Sequence, residues 1–545
     1  MHRLIAGSGR SALLVAMLAC CQPAAVERAT DDGDLSQSSM LRAEPGAGFS
    51  ITPLFTVGEV VNGYRPPGTI DGLAAWDWDA ETVRVFANHE LAATAGYPYL
   101  LDDGPRLTGS RISYFDIDKQ TRTVRDAGLA YRSVRDRQGQ RVKHASQINE
   151  RSSDSNRGFA AFCSAAGYAP GDYGFVDDIF FSHEETSVRK GHPHGGSIWG
   201  LDLRRGELWA LPELGRGTWE NVTALQTPAG KRPDGQLALL LSDDFDLGAA
   251  PLYLWVGRKV PGGTFPERNG LVQGHLHVWV ADSGDRDPEA WHGTGTRRTG
   301  KFMRIAARDP QRSGQPGFDR SGYLDDTTLR AVARKRHGAF MFSRPEDLHT
   351  NPHNGRQVVF SSTGHGELFP SDDWGTVYLI DLGFDMADGT ISGATAAISI
   401  IHDGDDFADS GIRSPDNLVW ALDGMVYVQE DRATKRNTFG KASGREASVW
   451  RLDPAAPKDY ERIAEIDRSV VLPADARDWL FFRLGAWESS GITDMSRQFG
   501  VWPDELVMLA TVQAHSVKGG SIGGKRDLVQ GGQLVLLVRP VNGER

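Results

Sequence analysis

The sequence predicts an all-β chain folded as a six-bladed β-propeller with one long insertion. From about residue 50, short Val, Ile, Leu, Trp, Tyr and Phe runs are separated by Gly, Pro, Asp and Asn, with few sustained helical periods. The runs recur as six loose copies of one unit: an acidic cluster or Pro-Asp turn, an apolar strand ending in polar residues, and an aromatic strand often ending in Asp. Sheet units that each leave a face unburied must stack radially to share a core, and six copies suit a propeller.

The 545 residues are 40% hydrophobic and 24% charged, an ordinary globular composition with ample length for a large core. The net charge of -11 argues against nucleic acid, whose phosphate backbone calls for a basic stripe that the sequence does not show, so no nucleic-acid partner is expected.

Residues 1–20 read as an export signal: Arg3 and Arg10 precede an apolar run, 11–19, too short to span a bilayer. Met17-Leu18-Ala19-Cys20 resembles a lipoprotein cleavage box, with ordinary cleavage near Ala24-Ala25 as the alternative. The expected location is therefore exported: periplasmic, anchored to the outer membrane as a lipoprotein, or secreted. A membrane would be met only through that N-terminal lipid. Residues 21–48 are polar and read as a flexible tether.

The propeller is expected over 49–545. Its first copy joins Asp71-Gly72-Leu73 to 83–90 and 112–118, and its second joins 179–185 to 197–203. The third joins Trp219-Glu220-Asn221-Val222 to 237–244 and 252–257, and the fourth joins Arg344-Pro345-Glu346-Asp347 to 358–362 and 376–381. The fifth joins Ser414-Pro415-Asp416-Asn417 to 425–431 and 449–453, and the sixth joins Glu488 and Asp494 to 506–515 and 533–538. Residues 257–340, rich in Gly and Arg, read as an insertion with strands of its own. Residues 50–57 offer a strand to close the ring, because the sixth unit must cover its edge.

Innermost strands line the channel of a propeller, so residues at strand ends converge from distant positions. Glu90, Glu184, Glu185, Glu220, Asp244, Glu346, Asp416 and Glu430 all sit at or beside such ends. Carboxylates forced together repel and raise one another's pKa values unless cations relieve them. Oxygen ligands suit calcium, and an added thiolate suits a transition metal such as iron. Of the three cysteines, Cys163 has no obvious partner; burial, pairing with Cys21 and metal ligation are its open readings, and a place in the channel is expected. His89 and His183 read as structural histidines, since a zinc site needs a tighter constellation.

The order of Asn88-His89-Glu90, Phe162-Cys163-Ser164, His183-Glu184-Glu185, residues 215–221, Arg344-Pro345-Glu346, Ser414-Pro415-Asp416-Asn417 and Val428-Gln429-Glu430-Asp431 resembles the PhoX-type alkaline phosphatases. The resemblance implies a propeller carrying calcium and ferric iron that hydrolyses small phosphate esters. It also implies that Glu220, Glu346 and Cys163 ligate iron, that Glu90, Glu185, Asp416 and Glu430 belong to the calcium and iron cluster, and that Arg344 anchors phosphate. Planar bidentate donors are what phosphate oxygens favour. This chain has His183 where the family shows a Cys before its paired Glu residues, and Trp219 where it shows a His.

The leading expectation is an exported, metal-dependent phosphohydrolase with Arg344 as the catalytic residue. The alternatives are a non-catalytic surface-binding propeller stabilised by calcium and a calcium-dependent esterase or lactonase, because fold does not fix function. If extended, Arg344 and Glu346 point to one side with Pro345 turned away.

Overall fold

The computed structural model describes residues 38–102, 104–149, 157–433 and 435–541. The export signal, the Cys20 box and the tether up to residue 37 lie outside them.

The chain forms six antiparallel blades. The first is Ile70–Asp77, Thr82–His89, Arg111–Asp118 and Val124–Leu129. The second is Phe162–Tyr168, Ile179–Glu184, Ile198–Asp202 and Glu207–Ala210, edged by the parallel strand Ser133–Arg135. The third is Trp219–Leu225, Gln236–Asp243, Tyr253–Arg258 and Gln273–Ala281. The fourth is Pro345–Thr350, Gln357–Ser362, Thr376–Ala387 and Thr390–Asp403. The fifth is Pro415–Trp420, Val426–Glu430, Ser448–Leu452 and Tyr460–Ile466, and the sixth is Glu488–Asp494, Glu505–Ala514 and Gly531–Pro540.

The innermost strands contact one another in a closed circuit, the sixth returning to the first. The ring is latched as expected: Ser50–Thr56 pairs antiparallel with Gly531–Pro540, so the last blade takes its outer strand from the start of the fold and leaves no edge there.

Two boundaries differ from the sequence reading. The tether ends earlier, because Met40 and Leu41 are buried and Leu41–Ala43 adds an outer strand to the fifth blade, Leu41 opposite Ile466. Nor is 257–340 a separate insertion. Gln273–Ala281 is the outer strand of the third blade, and Arg297–Ile305 pairs with both it and Thr390–Asp403, fusing blades three and four into one nine-stranded sheet. These outer strands are half solvated, so they carry Arg297, Arg298, Lys301 and Arg304 and lack the continuous apolar character of inner strands.

Inner strands are buried on both faces by the neighbouring blades, hence the almost uniform burial of Trp219–Leu225 and Pro415–Trp420. Where two of them approach most closely only glycine fits. A Cβ on Gly72 would meet the Ala165 nitrogen at 2.2 Å, and one on Gly491 the Asp71 carbonyl oxygen at 2.2 Å.

Candidate metal centre

In blades one to five the inner strand opens in the same way. Its first residue pairs with the second strand, the next two bulge out of the ladder, and pairing resumes at the fourth. The first bulged residues are Asp71, Cys163, Glu220, Glu346 and Asp416, which the bulge turns toward the channel axis. The second are Gly72, Ser164, Asn221, Asp347 and Asn417, all small or polar. In four blades the residue two before the channel position lies in the left-handed region: Thr69 (φ 52°), Ala161 (48°), Arg344 (56°) and Ser414 (45°). None is glycine, and a β-branched threonine is strongly disfavoured there.

The bulges bring distant residues together. Ligand atoms of Asp71, Glu90 and Cys163 lie within 4.8 Å of one another, as do those of Cys163, Glu185 and Glu220, and those of Glu220, Glu346 and Asp416. Cys163 and Glu220 therefore join three groups into one continuous centre. Cys163 Sγ also lies 3.4 Å from Asp71 Oδ2. Cys163 sits in the channel as a free thiol, as its isolation in the sequence led one to expect.

The channel residues sit where anions are least welcome. Burial, with Asp347 and Glu185 nearby, pushes Asp71 up to about 7. Burial and Glu185 push Glu90 well above the usual carboxylate range; burial and Glu346 do the same to Glu220, burial and Asp244 to Glu346, and burial and Glu488 to Asp416. The Cys163 thiol is likewise raised by burial and by Asp71. Glu220 is the extreme case: it is fully buried and neither carboxylate oxygen has a hydrogen-bond donor. A buried polar group left unsatisfied costs roughly 1–3 kcal/mol, more when charged, so its surroundings fit a cation between the carboxylates.

Two side chains already bring positive charge. Arg344 forms a two-pronged pair with Asp244, Nε to Oδ1 at 3.0 Å and Nη2 to Oδ2 at 2.6 Å, and its Nη2 lies 3.0 Å from Glu346 Oε1. Arg344 and Glu346 thus meet on one side, through the left-handed turn at Arg344 rather than the extended segment expected. Lys190 Nζ lies 2.7 Å from Glu185 and 3.5 Å from Asp246.

Three expected metal ligands fall outside the three groups: Asp244 stays beside the centre as the partner of Arg344, and two others are placed elsewhere. Glu184 accepts hydrogen bonds from the Ala160 and Ser197 amides and from Trp199 Nε1. Glu430 is held by Arg413, the Ser448 amide and Trp450 Nε1. Both tie the second strand of a blade to the Trp-bearing third strand, and neither joins the three groups. Strand alternation is the reason: of Glu184-Glu185 only one member can turn inward, and Glu185 is that member. His89 and His183 are buried structural residues held neutral by desolvation, with pKa values lowered to about 3 and about 4.

Sequence reasoning used Asp71 only as a turn marker and missed it as a site residue. The signal was available, since an acid or Cys followed by Gly, Ser, Asn or Asp repeats at the head of five inner strands. Second bulged residues knit a belt beneath the centre, Asn221 donating to Asp347, which also accepts from the Leu418 amide; the channel residue Asp71 accepts from Gln513. Beyond the belt the channel widens into a cavity of about 730 Å³ lined by Gly72, Ser164, Asn221 and Asp347, on the opposite side from the carboxylates.

No family model matches this chain, and no curated protein sequence does. Among solved structures it is similar to Pseudomonas fluorescens PhoX in complex with vanadate, a transition state analogue, at 15% identity, a TM-score of 0.56, and coverage of 93% of this chain and 98% of that one. A GH43 β-1,3-galactosidase with galactodeoxynojirimycin aligns over 88% of this chain and 94% of its own at 9% identity, with a TM-score of 0.32. The fold is thus a PhoX-like β-propeller.

Proposed function

We propose that this protein is a metal-dependent phosphohydrolase acting on small phosphomonoesters at the carboxylate centre. The observation that carries the reading is Glu220, buried with both oxygens unpartnered between Cys163 on one side and Glu346 and Asp416 on the other. Cations would relieve the repulsion among that many buried acids, and the shared propeller fold agrees with it, since the PhoX protein of that fold binds vanadate as a transition state analogue.

Cys163, Glu185 and Glu220, which form one group, would hold iron, because a thiolate among carboxylates suits a transition metal. The carboxylates of the flanking groups, Asp71 with Glu90 and Glu346 with Asp416, would hold calcium. When bound, such metals supply Lewis acidity toward a phosphoryl oxygen and acidify a water. The chain's own part is to place and neutralise. Asp244 occupies Nε and Nη2 of Arg344 and fixes the guanidinium plane, so that Nη1 is presented to a phosphate oxygen. Lys190 adds a second positive charge beside Glu185. Both favour the charge that develops on a transferred phosphoryl group, and no Ser or His nucleophile is required.

Elemental analysis of protein purified without chelators, beside turnover of a generic phosphomonoester, tests this. Iron and calcium together with turnover are expected, and Glu220→Gln should lose both. A fully metal-loaded protein without phosphatase activity would defeat the reading.

A further inference from the structure

Two loops meet beside the channel mouth between blades five and six. Residues 431–447 follow the second strand of blade five, and residues 467–487 lead into the inner strand of blade six. Each is pinned by an arginine whose guanidinium nitrogens all have acceptors. Arg413 binds Glu430, Asp409 and the carbonyls of Arg445 and Glu446. Arg468 binds Asp478, Glu446 and the carbonyls of Leu480 and Arg483.

Arg432 is built differently. It stands where the loops touch, since a Cβ on Gly485 would lie 3.1 Å from the Arg432 Cβ. The residue is half-buried, and its Nη1 is shut away from water without a hydrogen-bond partner. A charged donor left unpaired in this way is costly. The nearby acids are engaged elsewhere. Glu446 is taken by Arg468 and the Gly485 amide, and Asp431 also faces Arg344, Asp416 and Glu488. Burial lowers the Arg432 pKa, and repulsion from Arg483 and Arg436 adds to this against the pull of Asp431 and Glu446.

The position of Arg432 relative to the centre follows from strand alternation. Glu184 and Glu430 each end a second strand and bind the Trp of the third, so Asp431 holds in blade five the place that Glu185 holds in blade two. Arg432 is the next residue out. Arg344 heads blade four and Lys190 follows the second strand of blade two, whereas Arg432 and Arg483 stand at blades five and six with Asp431 on their inner side. An acid so placed keeps the reacting phosphoryl group from them, but a second anion on the same substrate can reach them from outside.

We propose that Arg432 and Arg483 form a second anion subsite, so that the favoured substrate of the carboxylate centre is a phosphate monoester whose leaving group carries a further phosphate. The inference rests on the phosphohydrolase reading and deepens it. A phosphate dianion balances two guanidiniums, relieves their repulsion and offers Arg432 the acceptor that its Nη1 lacks.

Turnover of butane-1,4-diol bisphosphate against butyl phosphate, on metal-loaded protein, tests it, because the two esters differ only in the second phosphate. The bisphosphate should show a kcat/KM about tenfold higher, well beyond the statistical advantage of two equivalent phosphates, with the gain carried by KM. Added salt should shrink the ratio. The variant carrying Arg432→Gln and Arg483→Gln should bring it down to the statistical value. Arg483→Gln alone should lower it at an unchanged melting temperature, which keeps the test decisive if the double variant folds poorly. Absence of turnover on both esters defeats the phosphohydrolase reading and the subsite with it. Turnover of both at the statistical ratio, or a higher ratio that survives the substitutions, overturns the subsite alone.

Discussion

Arg344 of blade four and Asp244 of blade three meet edge to edge at 2.6 and 3.0 Å, so the guanidinium at the channel mouth is oriented by a neighbouring blade. The resemblance pointed to Arg344 as a phosphate anchor, and its pairing with Asp244 was not legible in the sequence. Aligned in this way it remains charged and fixed beside Glu346.

On the phosphohydrolase reading, Arg344→Ala should lower phosphomonoester turnover by a factor that corresponds to about 3 kcal/mol while metal content stays intact. It should also lower stability, because Asp244 is left buried without its partner. Turnover and metal analysis on one preparation decide the matter; unchanged turnover would remove Arg344 from the site.

Stripping the metals should make stability depend on pH in a stated direction. A carboxyl whose folded-state pKa is raised contributes stability that is fully present below its unfolded value, near 4, and lost as pH rises through the folded value. Asp71, at about 7, and the higher Glu90, Glu220, Glu346 and Asp416 all act this way. His89 and His183, with lowered pKa values, act oppositely but lose their contribution only as pH falls below about 6.5. Chelated protein should therefore melt lower at pH 8 than at pH 5, and added calcium should restore the pH 8 value. Melting curves at the two pH values, with and without chelator, read this directly.

Glu430→Gln should destabilise by about 3 kcal/mol, since the fully buried Arg413 loses its main carboxylate partner, and should leave metal content unchanged. Denaturant unfolding beside elemental analysis is the check. Loss of metal at unchanged stability would return Glu430 to the centre.

Thr69→Gly should raise stability by about 1 kcal/mol, because a β-branched residue at φ 52° is replaced by one that adopts it freely. A thermal shift measurement suffices. A marked loss of stability would mean that the threonine side chain outweighs the backbone strain.

The sequence by itself determined the architecture and most of the centre's membership. Six acid-led units, the closing strand at 50–57 and the lone Cys163 are local patterns, and a propeller is what such units must build to bury their faces. Glu90, Glu185, Glu220, Glu346 and Asp416 were named because each heads or ends a strand, and Cys163 because it stands alone. Only the tertiary structure decided between neighbours. Glu184 and Glu185 are equivalent on paper, yet pleating turns one to Trp199 and the other to the channel. Asp71 looked like a turn until a bulge, a feature of pairing between strands, aimed it at Cys163. The tether and insertion boundaries failed for a related reason. Whether a polar segment joins a sheet depends on which edge is left open, as with Leu41–Ala43 beside Tyr460–Ile466, and that edge is created by residues hundreds of positions away.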